Sequence, residues 1–192
     1  MREPKPPLTL ASRSPQRRAI LAQLGIAFEV DVPEVEELET GEPPALATEN
    51  ARRKAEAVTG GLVLGVDTVV ALDGEPYGKP RDRRHAEATL RALAGRDHEV
   101  WSGITLRDEG VTRIGAACTR VRFRALSAPE IGWYLDSHEW RERAGGYAIQ
   151  GRGAALVESI EGDFWNVVGL PVAELVRLAP GLLVGDPPGE RR

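Results

Sequence analysis

The sequence predicts an α/β fold on three observations. Strand-length apolar runs alternate with helical periodicity at both ends of the chain, helix-start signals follow those runs, and an antiparallel-looking β block lies between them. Leu8 to Ala11 reads as a short strand. Ser14 is a good N-cap, Pro15 suits the first helical position, and Ile20, Leu21 and Leu24 repeat at helical spacing until Gly25 stops the helix. Phe28 to Val32 reads as a second strand. An acidic segment, Glu34 to Glu37, then leads through Gly41 and Pro43-Pro44 into a helix from about Leu46 to Val58 that ends at Gly60-Gly61. Leu62 to Val66 is a buried strand that delivers Asp67-Thr68 at its end, and a second β-run, Val69 to Leu72, closes on the Asp73-Gly74 turn. Asp82 can cap a helix carrying Ala86, Leu90 and Leu93, stopped by Gly95. The runs His98 to Leu106 and Val111 to Leu126 flank a turn at Asp108-Glu109-Gly110, and Ser127-Ala128-Pro129-Glu130 is a capping box opening a helix through Leu135. Gly145-Gly146 breaks the chain before Tyr147 to Gly151, more strand follows to Ile160, and Pro171 opens a last helix. The Pro-, Gly- and Arg-rich tail from Gly185 reads as frayed.

With 192 residues, 42% of them apolar, the chain is long enough to bury a core and short enough for one unit with two lobes around a cleft. Its apolar runs fall short of the roughly 20 residues that cross a bilayer, and Met1 to Pro7 carries charges and prolines where a signal peptide needs an apolar segment. The expectation is a cytoplasmic protein without membrane attachment. A net charge of −4 argues against a general nucleic-acid binder, so any polyanion must be met locally. The single cysteine, Cys118, excludes an internal disulfide, and its neighbours Ala116 and Ala117 suggest a small buried side chain.

Four groups of residues can carry chemistry. Ser12, Arg13, Ser14, Gln16, Arg17 and Arg18 surround a turn into a helix N-terminus, where free N–H groups, hydroxyls and guanidinium groups suit phosphate, although exposed arginines on a capped helix are the ordinary alternative. Asp67, at the end of a buried strand, is sited to hold a metal or activate water, or only to cap a turn. Glu36 and Glu37 supply further oxygens if the chain brings them to it, and magnesium suits such a set. Lys54 and Lys79 can neutralise phosphate charge or can be surface lysines. In the segment from Gly145 to Gly151 the glycines permit close backbone approach, and the Gln150 amide can read a base edge or face solvent. The three histidines match no metal spacing and the four tryptophans read as core or interface residues. P-loop, dinucleotide and Gly-x-Ser-x-Gly signatures are absent.

In order, these blocks resemble the Maf family of nucleoside triphosphate pyrophosphatases. The resemblance runs from Leu8 to about Leu178 and is carried by Leu10-Ala11-Ser12-Arg13-Ser14-Pro15-Gln16-Arg17-Arg18, Asp67-Thr68-Val69-Val70, Gly78-Lys79-Pro80-Arg81-Asp82 and Ala144-Gly145-Gly146-Tyr147-Ala148-Ile149-Gln150-Gly151. Asn166-Val167-Val168-Gly169-Leu170-Pro171 resembles the family's closing loop. It implies a two-lobed α/β fold related to inosine triphosphatases, with a mixed central sheet, a nucleotide cleft between the lobes and a homodimeric state. A single domain over residues 1–185 and a flexible tail over 186–192 are expected.

The resemblance also implies hydrolysis of a nucleoside triphosphate to the monophosphate and pyrophosphate with Mg2+ or Mn2+. Asp67 takes the proton-acceptor position, and Ser12, Arg17, Lys54 and Lys79 match phosphate-contacting positions. Glu37, with Glu36 as its rival, matches an acidic position that joins Asp67 at the metal. Thr68 and Gln150 fall where the family reads the base, resembling the branch acting on dTTP and UTP. Gln16 departs from that branch, where arginine is typical, and Arg143 stands where lysine is frequent. The alternatives are a house-cleaning enzyme for modified nucleotides such as 7-methyl-GTP or ITP, and a nucleotide-binding regulator of septum formation with little catalysis.

Overall fold

The computed structural model of the chain describes residues 8–184. The expectations for Met1 to Pro7 and for the tail from Gly185 lie outside the described residues. The strands are β1 (Leu8–Leu10), β2 (Phe28–Val30), β3 (Val63–Leu72), β4 (Glu75–Tyr77), β5 (Asp97–Asp108), β6 (Val111–Phe123) and β7 (Val157–Glu161). They form one mixed seven-stranded sheet in the order β2-β1-β3-β5-β6-β7, with β4 also paired to β3. β1 is parallel to β2 and β3, whereas all other pairs are antiparallel. The helices are α1 (Pro15–Gln23), α2 (Pro43–Glu56), α3 (Arg83–Leu93), α4 (Ala128–Asp136), α5 (Phe164–Val168), α6 (Val172–Leu178) and α7 (Gly181–Val184). This is the expected α/β mixture, and no helix among the described residues is long and apolar enough to cross a membrane.

Local chemistry explains the helix starts. Ser14 accepts from Arg17 N, Asp82 accepts from His85 N, and Ser127 with Glu130 forms a reciprocal capping box. Asp73 and Gly74 both take positive φ, 54° and 84°, as a two-residue hairpin turn requires. Two apolar cores flank the sheet centre. One gathers Leu10, Ile20, Leu21, Leu64, Ile104 and Leu175 beneath α1 and α6, and the other gathers Leu90, Leu93, Phe123, Tyr134, Leu135 and Tyr147 around α3 and α4.

The structure corrects four sequence expectations. Asp67 does not end a strand, because Leu62–Val66 and Val69–Leu72 fuse into the single ten-residue β3. Hydrogen bonds to β5 run without interruption from Val63 to Ala71, so the polar pair Asp67-Thr68 breaks the apolar run without breaking the ladder. α2 begins at Pro43, not Leu46, since a proline lacks only an N–H that the first helical turn leaves unbonded. Tyr147 to Gly151 is not a strand: Tyr147, Ala148 and Ile149 are all buried, which a strand with one wet face does not allow. The chain there turns, Gly151 N donating to Ala148 O, and passes through a 3₁₀ segment (Arg152–Leu156) before β7. Cys118 is exposed, on a strand where the neighbouring Ala116 and Arg120 are exposed too.

α2 lies unusually close to the sheet. A Cβ on Gly65 would stand 2.1 Å from Ala51 O, and one on Gly103 would stand 2.3 Å from Ala47 O. With Ala47, Ala51 and Ala55 facing them, these glycines let helix backbone rest on strand backbone. Gly103 is the register partner of Asp67, so the same approach brings α2 to that residue.

His98 is buried, its Nε2 2.9 Å from Tyr147 Oη and its Nδ1 without a partner among the described residues. Burial holds its pKa down at about 4, against an ordinary value of 6.5. The unfolded chain therefore takes up the proton first. The contribution of neutral His98 is complete above about pH 6.5 and is lost as pH falls towards 4, about 3 kcal/mol in all. The gap in unfolding free energy between wild type and His98→Gln should accordingly shrink by about that amount between pH 7 and pH 4. A gap independent of pH would refute this.

Candidate active site

β1 reaches only Leu64 of β3, and β4 begins its pairing at Val70. Both lie on the edge opposite β5, so from Gly65 to Val69 that edge has no strand neighbour among the described residues. Asp67 thus lies just past the carboxyl end of its parallel neighbour β1, where sheets of this kind open their ligand crevices. A cleft of ≈ 700 Å³ is found there, lined by Asp67 and Thr68 together with the segments Ala11–Arg17 and Arg141–Ala144.

Successive residues of a strand face opposite ways, and β3 uses both faces. Asp67, 8% exposed, turns towards α2. Its Oδ1 lies 2.6 Å from Lys54 Nζ, and its Oδ2 accepts from Asn50 Nδ2 at 3.2 Å. Lys54 Nζ is also 3.0 Å from Glu37 Oε1, so one ammonium joins two carboxylates. Burial by itself would raise the Glu37 pKa, but Lys54 chiefly, with Lys79 and Arg17, brings it below the usual range.

Thr68 turns towards α1. Its Oγ1 accepts from Arg17 Nη2 at 3.2 Å and lies 2.9 Å from Ser102 Oγ. Arg17 also donates from Nη1 to Ser12 Oγ at 2.8 Å and from Nε to Gly169 O at 2.9 Å. Three of its five N–H donors are thereby committed within the fold, which fixes the plane of the guanidinium and leaves two for a ligand. Burial lowers the Arg17 pKa, opposed by the charges of Asp67 and Glu37.

Of the sequence-predicted residues, Ser12, Gln16, Arg17, Glu37, Lys54, Asp67, Thr68 and Lys79 all line the cleft. Glu37 rather than Glu36 meets Lys54. Glu36 presents only its backbone carbonyl, to Arg53. Lys54 is engaged with the two acids, whereas Lys79 is exposed and only 3.9 Å from Glu142, a pairing that contributes little. Gln16 accepts through Oε1 from Ser14 Oγ at 3.1 Å. Gln150 does not line the cleft: it is exposed in the turn after the buried Tyr147–Ile149 segment, and Ala144 and Tyr147 line the cleft in its place.

Sequence reasoning missed Asn50, Ser102 and the Gly169 carbonyl. Asn50 stands four residues before Lys54, one helical turn away, and this spacing was a usable signal. Ser102 and Gly169 are brought in from 34 and 101 residues beyond Thr68, separations that no local pattern encodes. Arg143 lines the cleft with a half-buried guanidinium whose Nε has no partner among the described residues, and burial lowers its pKa.

A family model described as Maf-like protein matches residues 7–181. The chain belongs to the Maf family. Its Maf relatives include a protein named dTTP/UTP pyrophosphatase from Thermus thermophilus, 51% identical over 177 residues that span 91% of this chain and 94% of that one. Proteins of the same name from Symbiobacterium thermophilum and Anaeromyxobacter dehalogenans are 46% and 47% identical, covering 89% and 90% of this chain and 91% and 92% of theirs. The cleft described above therefore lies wholly within the matched Maf region.

Proposed function

We propose that this chain hydrolyses nucleoside triphosphates between the α and β phosphates, releasing the monophosphate and pyrophosphate, with dTTP and UTP as substrates. One observation carries the reading: a single strand presents a buried carboxylate on one face and an immobilised guanidinium's anchor on the other, within one cleft. Base and anion-binding groups are thus held at fixed separation. The names of relatives sharing 51% and 46% of their aligned residues support the choice of dTTP and UTP.

Asp67 accepts the proton of the water that attacks the α phosphorus. As the new P–O bond forms, the bond to the bridging oxygen breaks and its electron pair leaves with pyrophosphate. Arg17, through its two uncommitted N–H groups, and Lys79 meet the charge that develops on that leaving group. Ser12 helps hold Arg17 and adds a hydroxyl at the helix entrance, while Lys54 balances the charge of both carboxylates. Thr68 acts on base selection only indirectly, because its hydroxyl is committed to Arg17 and Ser102. Gln16, which carries both a donor and an acceptor, is the group suited to a pyrimidine edge.

Glu37 and Asp67 would hold a divalent cation, Mg2+ or Mn2+. Among the described residues no set of three or more acidic, His or Cys side chains could hold one by itself. Two carboxylates completed by substrate phosphates are the pattern magnesium accepts. When bound, the cation neutralises phosphate charge and acidifies water. A homodimer in the cytoplasm completes the reading, and sedimentation would check the assembly.

The test is a panel of dTTP, UTP, 7-methyl-GTP and ITP with Mg2+, followed by pyrophosphate release. The highest kcat/KM should fall to dTTP and UTP. Turnover confined to purine triphosphates would overturn the substrate assignment, and orthophosphate as the product would overturn the bond assignment.

A further inference from the structure

Asn50 is 2% exposed, and its carboxamide is divided between two parts of the site. Oδ1 accepts from Leu38 N at 2.8 Å, while Nδ2 donates to Leu38 O at 3.0 Å and to Asp67 Oδ2 at 3.2 Å. Both backbone groups of Leu38 are thus satisfied as a neighbouring strand would satisfy them, although residues 31–39 form no helix or strand. Most side chains of that segment are exposed, so its position depends on few contacts. Besides Asn50, these include Lys54 on Glu37 and Arg53 on the carbonyl of Glu36.

We infer that Asn50 is a positioning residue that couples the two carboxylates of the site, fixing the segment that carries Glu37 while orienting Asp67. This deepens the hydrolase reading and rests on it. Asp67 Oδ1 belongs to Lys54 and Oδ2 to Asn50, so the carboxylate plane is set from two points one helical turn apart on α2. Because Glu37 adjoins Leu38, the same amide sets its approach to Lys54.

Only an amide of this length fits the task. It must accept from one N–H and donate to both a carbonyl and a carboxylate. Aspartate keeps the acceptor but loses both donors and adds a charge beside Asp67, and leucine of similar volume loses every bond.

The experiment compares wild type with Asn50→Leu and Asn50→Asp by steady-state kinetics with dTTP and Mg2+, by hydrogen exchange of the Leu38 amide without nucleotide, and by thermal unfolding. Asn50→Leu should lower kcat by about 10–100-fold, the range found for groups that orient metal-site ligands, with KM for dTTP changing less than about threefold. Leu38 exchange should speed at least about tenfold, since its acceptor is gone. Asn50→Asp should keep most of the Leu38 protection and still lose kcat, and it stands in if the leucine variant fails to fold. A folded variant with lowered thermal stability but kcat within about twofold of wild type would overturn the inference, as would unchanged Leu38 exchange in Asn50→Leu. If wild type itself turns over no nucleotide, the hydrolase reading fails, and Leu38 exchange alone decides whether Asn50 holds the segment.

Discussion

Asp67→Asn should abolish nearly all hydrolysis in a protein that remains folded, with kcat falling by about 10²–10⁴-fold, the usual contribution of a positioned general base. The substitution keeps the shape of the side chain and one oxygen for Lys54, but the amide cannot take a proton from water. Two features protect the fold. Lys54 retains Glu37 at 3.0 Å as a counter-charge, and β3 holds position 67 through backbone bonds to β5 that do not involve the side chain. Removal of one partner from a buried pair usually costs about 3–5 kcal/mol, and the second carboxylate reduces that here. The check is kcat and KM for dTTP together with a denaturation curve. Hydrolysis within about tenfold of wild type in a folded variant would remove Asp67 from the role of base.

Gly103→Ala should cause a large loss of stability. The added methyl would lie 2.3 Å from Ala47 O and 2.4 Å from Thr48 Cα, both helix backbone, so no side chain can swing aside. α2 must lift from the sheet, and overpacking of this kind costs typically about 1–3 kcal/mol and sometimes more. About 3 kcal/mol is expected here, which for a chain of this size lowers Tm by about 6–12 °C. Activity should fall with it, because α2 carries Asn50 and Lys54. Gly132→Ala is the control: it lies in α4 with nothing within 4 Å of the new methyl, and it should be neutral or stabilise by up to about 1 kcal/mol. Equal unfolding midpoints for the two variants would contradict this account of the helix–sheet contact.

Much of the fold was legible because its signals are local. Ser14-Pro15, Asp82 and the Ser127–Glu130 box each act on their own helix within a few residues, and the Asp73-Gly74 turn needs only its own dihedrals. The cleft was legible as a set of blocks, and eight of its nine proposed residues do line it. What was hidden depends on the third dimension. β3 looked like two strands because Asp67-Thr68 is polar, and partners distant in sequence, among them Lys54, Asn50, Arg17 and Ser102, make those polar groups tolerable in a sheet interior. Gln150 looked available for a ligand because the burial of Tyr147–Ile149, which turns it outward, depends partly on Tyr134 Oη receiving Ala148 N. α5 was invisible at five residues, too short for periodicity to register, yet it places Trp165, and Gly169 closes it to present its carbonyl to Arg17.

The two-faced use of β3 constrains how the gene can vary in length. A single-residue deletion between Val63 and Val66 would send the aspartate towards Arg17 and the threonine towards Lys54, exchanging the two halves of the site while leaving composition almost unchanged. A two-residue deletion would restore the facing but slide both groups past their partners on α1 and α2. Length changes should therefore accumulate at the Asp73-Gly74 and Glu109-Gly110 turns, whose tips are exposed, and the stretch from β1's last partner to Thr68 should be fixed in length.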